Sequence, residues 1–435
     1  MNPGEHEMNE RKMLRKQREQ ERQQKQRKAL LRKLIAFGSL VLFVIVILMI
    51  RSCQDAALEA PPTDASTGET VEQGTLENQE TQPSETVSTE PDNKTTVIHF
   101  AAAGDLNITD QVIASGGAEL DYTQAFMDVL PLLSQADLTA LNFEGNVCGA
   151  PYGKDSAPQQ LLDALKLAGV DLLQLANSKS INRGVSGLNS TVRNVRAAGM
   201  ASVGAVAEGE TPGAYVIRYV GGVKVAVVAF TKGMDGMQMP AGSEDLVNIL
   251  YTDYATTYKK VDTDGITDLL RRVQNEEPDI TIALLHWGSE YSDIRSETQE
   301  TIRKLLVKEG VDAIIGSHPH FVQRMDYDPE TGVFVAYSLG DFFGDAPRTG
   351  TDYSVVLDLE ITKDNTTGIT KITGYSYTPI YTVRDDTGHL RVLRLHEAIE
   401  AYKAGRIGRV SKETYQNMIY GLERLEKRIH PDPEA

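Results

Sequence analysis

The sequence predicts an α/β fold with a largely parallel central sheet, because apolar runs alternate with segments of helical periodicity. Runs typical of buried strands occur at residues 96–103, 137–142, 170–176, 280–285, 311–315 and 333–337. Segments with helical spacing of apolar residues lie at 122–134, 159–168, 185–198, 254–275 and 297–309. Helices that return each strand to one direction bring the strands' carboxyl ends to a single edge, where ligands bind in open α/β sheets.

The second half of the chain adds antiparallel elements to this pattern. Gly221-Gly222 lies between two apolar runs and favours a tight hairpin over residues 215–230. Closing antiparallel strands are expected at residues 353–361 and 372–381. Residues 397–429 have the pattern of one or two amphipathic helices that pack on the outside.

The first part of the chain is predicted to anchor the protein in a membrane. Residues 1–33 are rich in Lys, Arg and Gln, residues 34–51 are apolar up to Arg51, and residues 52–94 are dominated by Thr, Ser, Glu, Gln and Pro. A cleaved signal peptide is the competing interpretation, but it would end in small residues. We expect a basic cytoplasmic segment, a single helix that spans the cell membrane, a disordered linker and a carboxyl-terminal domain outside the cell.

Charge and cysteine content narrow the classes of partner. The formal net charge is −17 although residues 1–51 are basic, so the remainder is more acidic still. So acidic an exterior argues against the binding of DNA, RNA or another polyanion by long-range attraction, and nucleic acid is not expected as a partner. The two cysteines, Cys53 and Cys148, lie in the linker and in a predicted loop, and we predict no structural disulfide.

The most informative stretch is His318-Pro319-His320, which follows the apolar run 311–315 and Gly316. Pro319 fixes its own φ and disfavours the helical region for His318, which predicts an extended, rigid loop. The run 333–337 leads to Asp341 and brings a carboxylate towards the same edge. Neutral imidazoles with a nearby carboxylate suit Zn, Mn or Fe. The alternative is a solvated loop that happens to hold two histidines.

Polar side chains follow four further apolar runs directly. We therefore take as candidate metal ligands Asp105, Glu144, Asn177, His286, His318 and His320. Three of these residues have an ordinary alternative role. Asp105 would also suit the cap of a turn or helix, Glu144 would suit a surface charge, and His286 would suit a hydrogen-bonded histidine in the core. Their coincidence at strand ends favours a metal site, and two ions ~3.5–4 Å apart would activate water and clamp a phosphoryl or acyl oxygen.

Five short motifs carry a resemblance to a known family. They are Gly104-Asp105, Asn142-Phe143-Glu144, the segment HWGSEY at 286–291, the segment GSHPH at 316–320 and the segment YSLGDF at 337–342. In order and spacing they resemble the CapA family of poly-γ-glutamate capsule biosynthesis proteins, which is related in fold to calcineurin-like metallophosphoesterases. The resemblance covers about 95–382 and implies a four-layer α/β sandwich. We assign residues 95–385 to this domain and residues 386–435 to a helical extension. The resemblance also implies an outward-facing role in making, exporting or anchoring a surface polymer.

The chain departs from the family pattern after the third strand. Where the family usually has Asn-Asn-His and then Asp, this chain has Asn177, Ser178, Lys179 and then Asn182; Ser317 likewise replaces a common His and Asp341 an Asn. The replaced His is the general acid of related phosphoesterases, so Lys179 and His318 are the candidate catalytic residues. A lysine beside a metal is expected to have a lowered pKa, with Asp341 as its candidate ion-pair partner. An ammonium has no lone pair for a metal, which predicts at most one tightly bound divalent ion, or none.

Two functions stay open at this point. The protein is either a metal-dependent hydrolase in capsule or poly-γ-glutamate biosynthesis, or a degenerate relative that binds a surface polymer or a protein partner without hydrolysis. Its expected partners are the membrane, an anionic surface polymer and other capsule-synthesis proteins. The anchor and linker disfavour a third alternative, a cytosolic phosphoesterase.

Overall fold

The computed structural model of the protein describes residues 94–431. The segments predicted to be cytoplasmic, to span the membrane and to form the linker up to residue 93 lie outside this range, as does Cys53. Within residues 94–431, no helix is long and apolar enough to cross a membrane. Cys148 forms no disulfide within the described part of the chain.

The described residues form strands and helices in a mixed order. The strands are β1 (Thr95–Asn107), β2 (Leu138–Glu144), β3 (Leu172–Gln174), β4 (Ala201–Val203), β5 (Tyr215–Val220), β6 (Val223–Thr231), β7 (Ile280–His286), β8 (Ala313–Ser317), β9 (Met325–Asp328), β10 (Val333–Ala336), β11 (Asp341–Phe343), β12 (Tyr353–Asp364), β13 (Thr370–Arg384) and β14 (Leu390–Arg394). The α-helices are α1 (Asp110–Ala114), α2 (Leu130–Ser134), α3 (Gln159–Leu167), α4 (Gly184–Ala197), α5 (Thr263–Asn275), α6 (Glu297–Lys308), α7 (Leu395–Lys403) and α8 (Lys412–Ile429).

The strands form two mixed sheets. The first has the order β14-β13-β12-β1-β2-β3-β4, with β11 also beside β1. Its strands β1 to β4 and β11 run parallel, while β12 to β14 are antiparallel. The second sheet has the order β5-β6-β7-β8-β10-β9 and is parallel from β6 to β10. The expectation of one largely parallel sheet is therefore wrong, because the parallel strands are divided between two sheets.

Side-chain alternation along β6 shows how the layers pack. Val227 and Ala229 belong to the main core, which joins the second sheet to the first, whereas Val228 and Phe230 pack in a separate cluster. That cluster contains apolar residues of α5 and α6, so these helices cover the outer face of the second sheet. The first sheet is covered by α3, α4, α7 and α8, whose apolar residues join the main core.

Two predicted helices are shorter than expected, and each has a local cause. Instead of one helix over 122–134 there is a 3₁₀ helix, Thr123–Phe126, followed by α2, because Pro131 is tolerated only in the first turn of a helix. Instead of 254–275, α5 begins at Thr263, where the Asp262 side chain accepts a hydrogen bond from the Gly265 N–H.

The predicted boundary at residue 385 falls between two paired strands of the first sheet. Strand β14 lies beyond it and pairs with β13, so the last segment completes the first sheet before α7 and α8 follow. The predicted hairpin is confirmed: β5 and β6 are antiparallel and joined by Gly221 (φ +54°) and Gly222 (φ +81°). Both glycines adopt the left-handed conformation that a two-residue hairpin turn requires.

Candidate metal site

The candidate site lies where the carboxyl ends of parallel strands from both sheets meet. The first sheet contributes Asp105 within β1 and Glu144 at the end of β2, and the second contributes His286 at the end of β7. His318 and His320 follow β8. Residues from two stacked sheets thus converge at one place, although the sequence argument assumed a single edge.

A close backbone contact brings a further carboxylate, Asp341, to this site. Strand β1 continues past Gly104 to pair with β11, which puts Asp105 in register with Asp341. The Asp105 N–H donates to the Gly340 carbonyl at 2.9 Å. A Cβ on residue 104 would lie 1.8 Å from that carbonyl oxygen, so only glycine allows this approach.

Asn142 connects the buried carboxylates. Its Nδ2 donates to Asp105 Oδ1 at 2.7 Å and to Glu144 Oε1 at 3.1 Å, while Asp105 Oδ2 accepts from the His318 N–H at 3.0 Å. Burial, together with the negative charge of Glu144, raises the pKa of Asp105 well above its usual value. Sequence reasoning had not given Asn142 a role, although strand alternation puts residues 142 and 144 on one face.

His320 is held by two carboxylates. Its Nδ1 lies 2.7 Å from Asp341 Oδ1 and 3.6 Å from Asp105 Oδ2. Burial disfavours the charged imidazole, but the charge and hydrogen bond of Asp341, with the charges of Glu144 and Asp105, raise the pKa of His320 to about 11. Positive charge is therefore strongly favoured among these acids. Without a metal ion the His320 imidazolium supplies it, and His320 would have to release this proton to act as a metal ligand.

The other two histidines have different surroundings. His286 has both ring nitrogens engaged, Nε2 with Glu144 Oε1 at 2.9 Å and Nδ1 with Thr231 Oγ1 at 3.2 Å. The centres of the His318 and His286 rings are 4.3 Å apart. The Nδ1 of His318 is buried without a hydrogen-bond partner among the described residues. Burial lowers the pKa of His318 well below its usual value, so its imidazole is neutral, as a metal ligand must be.

The loop that carries these histidines is not extended, contrary to the sequence expectation. His318 has φ +92° and His320 has φ +57°, values that cost a non-glycine residue about 1–3 kcal/mol each. Pro319 still keeps His318 out of the right-handed helical region. The Pro319 carbonyl accepts a hydrogen bond from the Tyr291 N–H at 2.8 Å, which holds the strained loop in place.

Two groups of side chains have the composition and spacing of metal ligands. One consists of Asp105, His320 and Asp341, and the other of Glu290, His318 and His320; within each group the ligand atoms lie within 4.8 Å of one another. In the first group Asp105 and Asp341 are buried and the His320 side chain is 11% exposed. The group brings two carboxylates and an imidazole together, a donor set that fits Zn, Mn or Fe. Glu290 and Asp341 were not among the predicted ligands, although both stand in the quoted motifs.

Three of the predicted ligands are engaged elsewhere. Glu144 and His286 bind each other. Asn177 donates through Nδ2 to the Phe143 carbonyl at 2.7 Å, and its Oδ1 accepts from the Lys179 N–H at 3.0 Å. In this arrangement Asn177 organises the loop after β3.

Lys179 pairs with a residue that the sequence did not single out. Its Nζ lies 2.6 Å from Asp235 Oδ2, in the loop after β6, so the expected pairing with Asp341 is wrong. Burial acts to lower the pKa of Lys179, but the hydrogen bond and charge of Asp235 prevail and raise it, contrary to the expected lowering. Lys179 is therefore a cation next to the site, and its charge also acts on Glu144 and His318.

Fold and site together define a mixed α/β protein with two sheets and a buried carboxylate–imidazole cluster at the strand ends. Residues 99–346 match the family model described as "Bacterial capsule synthesis protein PGA_cap". The match covers more than half of the chain, which therefore belongs to this family, and the CapA resemblance is confirmed.

Known proteins similar to this chain include two from Bacillus. The capsule biosynthesis protein CapA of Bacillus anthracis is 28% identical over 261 residues, which cover 57% of this chain and 60% of that protein. The PGA biosynthesis protein CapA of Bacillus subtilis is 24% identical over 286 residues, covering 62% and 70%. Among solved structures, the calcineurin-like phosphoesterase YfkN of Bacillus subtilis aligns with a TM-score of 0.39 at 17% identity, over 76% of this chain and 97% of that one.

Proposed function

We propose that this protein is an outward-facing surface member of its family that binds an acidic capsule polymer, poly-γ-glutamate or a related chain, at a site holding one divalent ion. The observation that carries the proposal is the buried group Asp105, His320 and Asp341. Carboxylates buried this closely repel one another unless a cation lies among them. We also propose that the two-sheet domain is the four-layer sandwich of the metallophosphoesterases.

The chain's own residues fit the ion. Asp105, His320 and Asp341 would hold it. His318, whose Nδ1 is buried without a hydrogen-bond partner among the described residues, belongs to the neighbouring group with Glu290 and His320. A bound Zn, Mn or Fe ion polarises an oxygen that contacts it and lowers the pKa of bound water. Asn142 keeps Asp105 in place through a 2.7 Å hydrogen bond.

A second ion is disfavoured by the residues around Lys179. Glu144 and His286 are hydrogen-bonded to each other, and the Asn177 side-chain oxygen already accepts a hydrogen bond from the Lys179 N–H. The Lys179 ammonium, kept charged by Asp235, supplies positive charge where a second ion would otherwise be needed. A paired ammonium with no lone pair to offer disfavours the two-ion site of a phosphoesterase, which supports binding rather than phosphoester hydrolysis.

Metal-dependent hydrolysis of the polymer is the second candidate function. The observation that favours it is His318, whose buried neutral imidazole has a free nitrogen and could exchange a proton. Lys179 argues against hydrolysis, because a lysine that stays protonated cannot act as a base.

The purified protein is expected to bind γ-linked polyglutamate in a metal-dependent manner. Removal of the ion with a chelator should lower the affinity about tenfold or more, because the ion balances the buried carboxylates and contacts the polymer. The measurement is fluorescence anisotropy of labelled polymer, with metal re-addition as the control. Chain length of the polymer after incubation separates the two functions: shortening that depends on the ion would establish hydrolysis. Binding that is unaffected by chelation would contradict a metal-dependent polymer site.

The anchor is proposed from the basic and apolar segments before residue 52. Protease added to intact cells after wall removal is expected to release the folded domain by cutting within residues 54–93. A cytoplasmic marker protein that stays uncut is the control. Protection of the domain until the membrane is opened would show that the proposed topology is wrong.

A further inference from the structure

An arginine lies on an aromatic ring at the edge of the candidate metal site. The chain leaves β11, which begins with Asp341, and turns back to place Arg348 over Tyr291, with the guanidinium carbon 3.9 Å from the ring centre. The Tyr291 ring also contacts two aromatic side chains: His320 is stacked on it at 5.3 Å with an interplanar angle of 30°, and Phe321 meets it edge-on at 6.0 Å. The same tyrosine ring therefore contacts both the Arg348 cation and a ligand of the proposed ion.

The backbone of Arg348 is fixed, although its side chain is exposed. Its carbonyl accepts hydrogen bonds from the N–H and the Oγ1 of Thr351, at 3.1 and 2.9 Å. Gly350, at φ +102°, completes this turn and packs against the Phe321 ring, which follows His320 in the chain. The loop that presents Arg348 is thereby attached to the loop that presents the histidines.

Arg348 has no acidic partner within 4 Å among residues 94–431, unlike the neighbouring basic side chains. Lys179 is paired with Asp235, and Arg428, which lies over Phe321, contacts Asp293 at 3.4 Å. The guanidinium of Arg348 thus keeps its donors available to a ligand. A planar guanidinium on an aromatic ring is well suited to bind a carboxylate through two parallel hydrogen bonds.

We propose that Arg348, supported by Tyr291, binds a carboxylate of the acidic polymer one or a few units away from the unit at the ion. The inference rests on the proposed function and names a residue that selects for a polyanion. A protein of net charge −17 repels such a chain at long range, so local cations beside the site are required to hold it. Arg348 lies just beyond the family-matched segment, 99–346, and so belongs to a part of the chain that the family model does not describe.

The test compares three variants of the full-length, metal-loaded protein in detergent, with short labelled γ-linked glutamate oligomers as the probe. R348Q removes the positive charge, and R348K keeps the charge but loses the planar guanidinium with its paired N–H donors. R271Q is the control: it removes an equal charge from the exposed side of α5, where the Arg271 side chain is 68% exposed. We expect R348Q to weaken binding about tenfold, R348K to fall between R348Q and the natural protein, and R271Q to stay within about twofold. Metal content is expected to be the same in all four proteins.

The outcomes separate this inference from the proposed function. If the natural protein binds the oligomers and R348Q binds them equally well, or R271Q weakens binding as much as R348Q, the role of Arg348 is wrong while the proposed function stands. If the natural protein binds polyphosphate but not γ-linked glutamate, and R348Q weakens that binding, Arg348 is an anion-binding residue and the proposed polymer is wrong. If neither polyanion binds, both proposals are overturned.

Discussion

Replacing Asp105 with asparagine is expected to remove the bound ion, lowering metal affinity at least about a hundredfold, which exceeds the 10–100-fold typical of residues that only support a ligand. Asp105 is fully buried and belongs to the compact group with His320 and Asp341. Asparagine retains the shape and one acceptor oxygen but loses the negative charge. The measurement is elemental analysis after dialysis against a competing chelator.

Asp358→Asn is a matched control for this substitution. Asp358 also pairs with a histidine in the first sheet, His99, at 2.9 Å, but both side chains are more than a third exposed. We expect D358N to keep the ion. Circular dichroism should show D105N folded, since the His318 N–H retains an acceptor. Full metal content in folded D105N would contradict the assignment of the ion to this group.

Restoring the family pattern with Ser178→Asn and Lys179→His is expected to raise metal content from one ion per chain to two. The change replaces an ammonium, which has no lone pair, by an imidazole nitrogen and adds an amide oxygen beside it. It also releases Asp235 from its 2.6 Å ion pair. Metal content and turnover of a generic phosphoester are the measurements.

Lys179→Ala alone is the control for the double variant, because it removes the cation without supplying a ligand. We expect it to leave metal content at one ion. The opposing result would be two ions and rapid phosphoester hydrolysis in the natural protein, both lost in K179A. That result would make Lys179 a working catalytic residue and the single-ion account wrong.

The sequence predicts the strands better than their assembly. Apolar runs are local signals, and they located β2, β7 and β10 to within a few residues. The division into two sheets depends on which strand faces which, and no local pattern records it. Even so, the argument from strand ends placed Asp105 and His318 correctly, because both sheets present their carboxyl ends to the same site.

The parts of the site that the sequence missed depend on contacts between distant loops. Asp235 and Lys179 are 56 positions apart and lie in loops that follow strands of different sheets, so nothing near either residue in the sequence indicates their pairing. The positive φ values of His318 and His320 occur in a loop whose Pro319 carbonyl accepts a hydrogen bond from the Tyr291 N–H, and this contact too joins distant parts of the chain. Asp341, in contrast, stood in a quoted motif and could have been included among the ligands.

The most direct test of this account is the metal content of the unmodified protein. We predict one divalent ion per chain, retained through dialysis against a weak chelator, because Asp105, His320 and Asp341 form one compact buried group while Glu144 and His286 bind each other. Inductively coupled plasma mass spectrometry on protein of known concentration gives this ratio. A value of two ions, or of none after growth with Zn, Mn and Fe supplied, would contradict it.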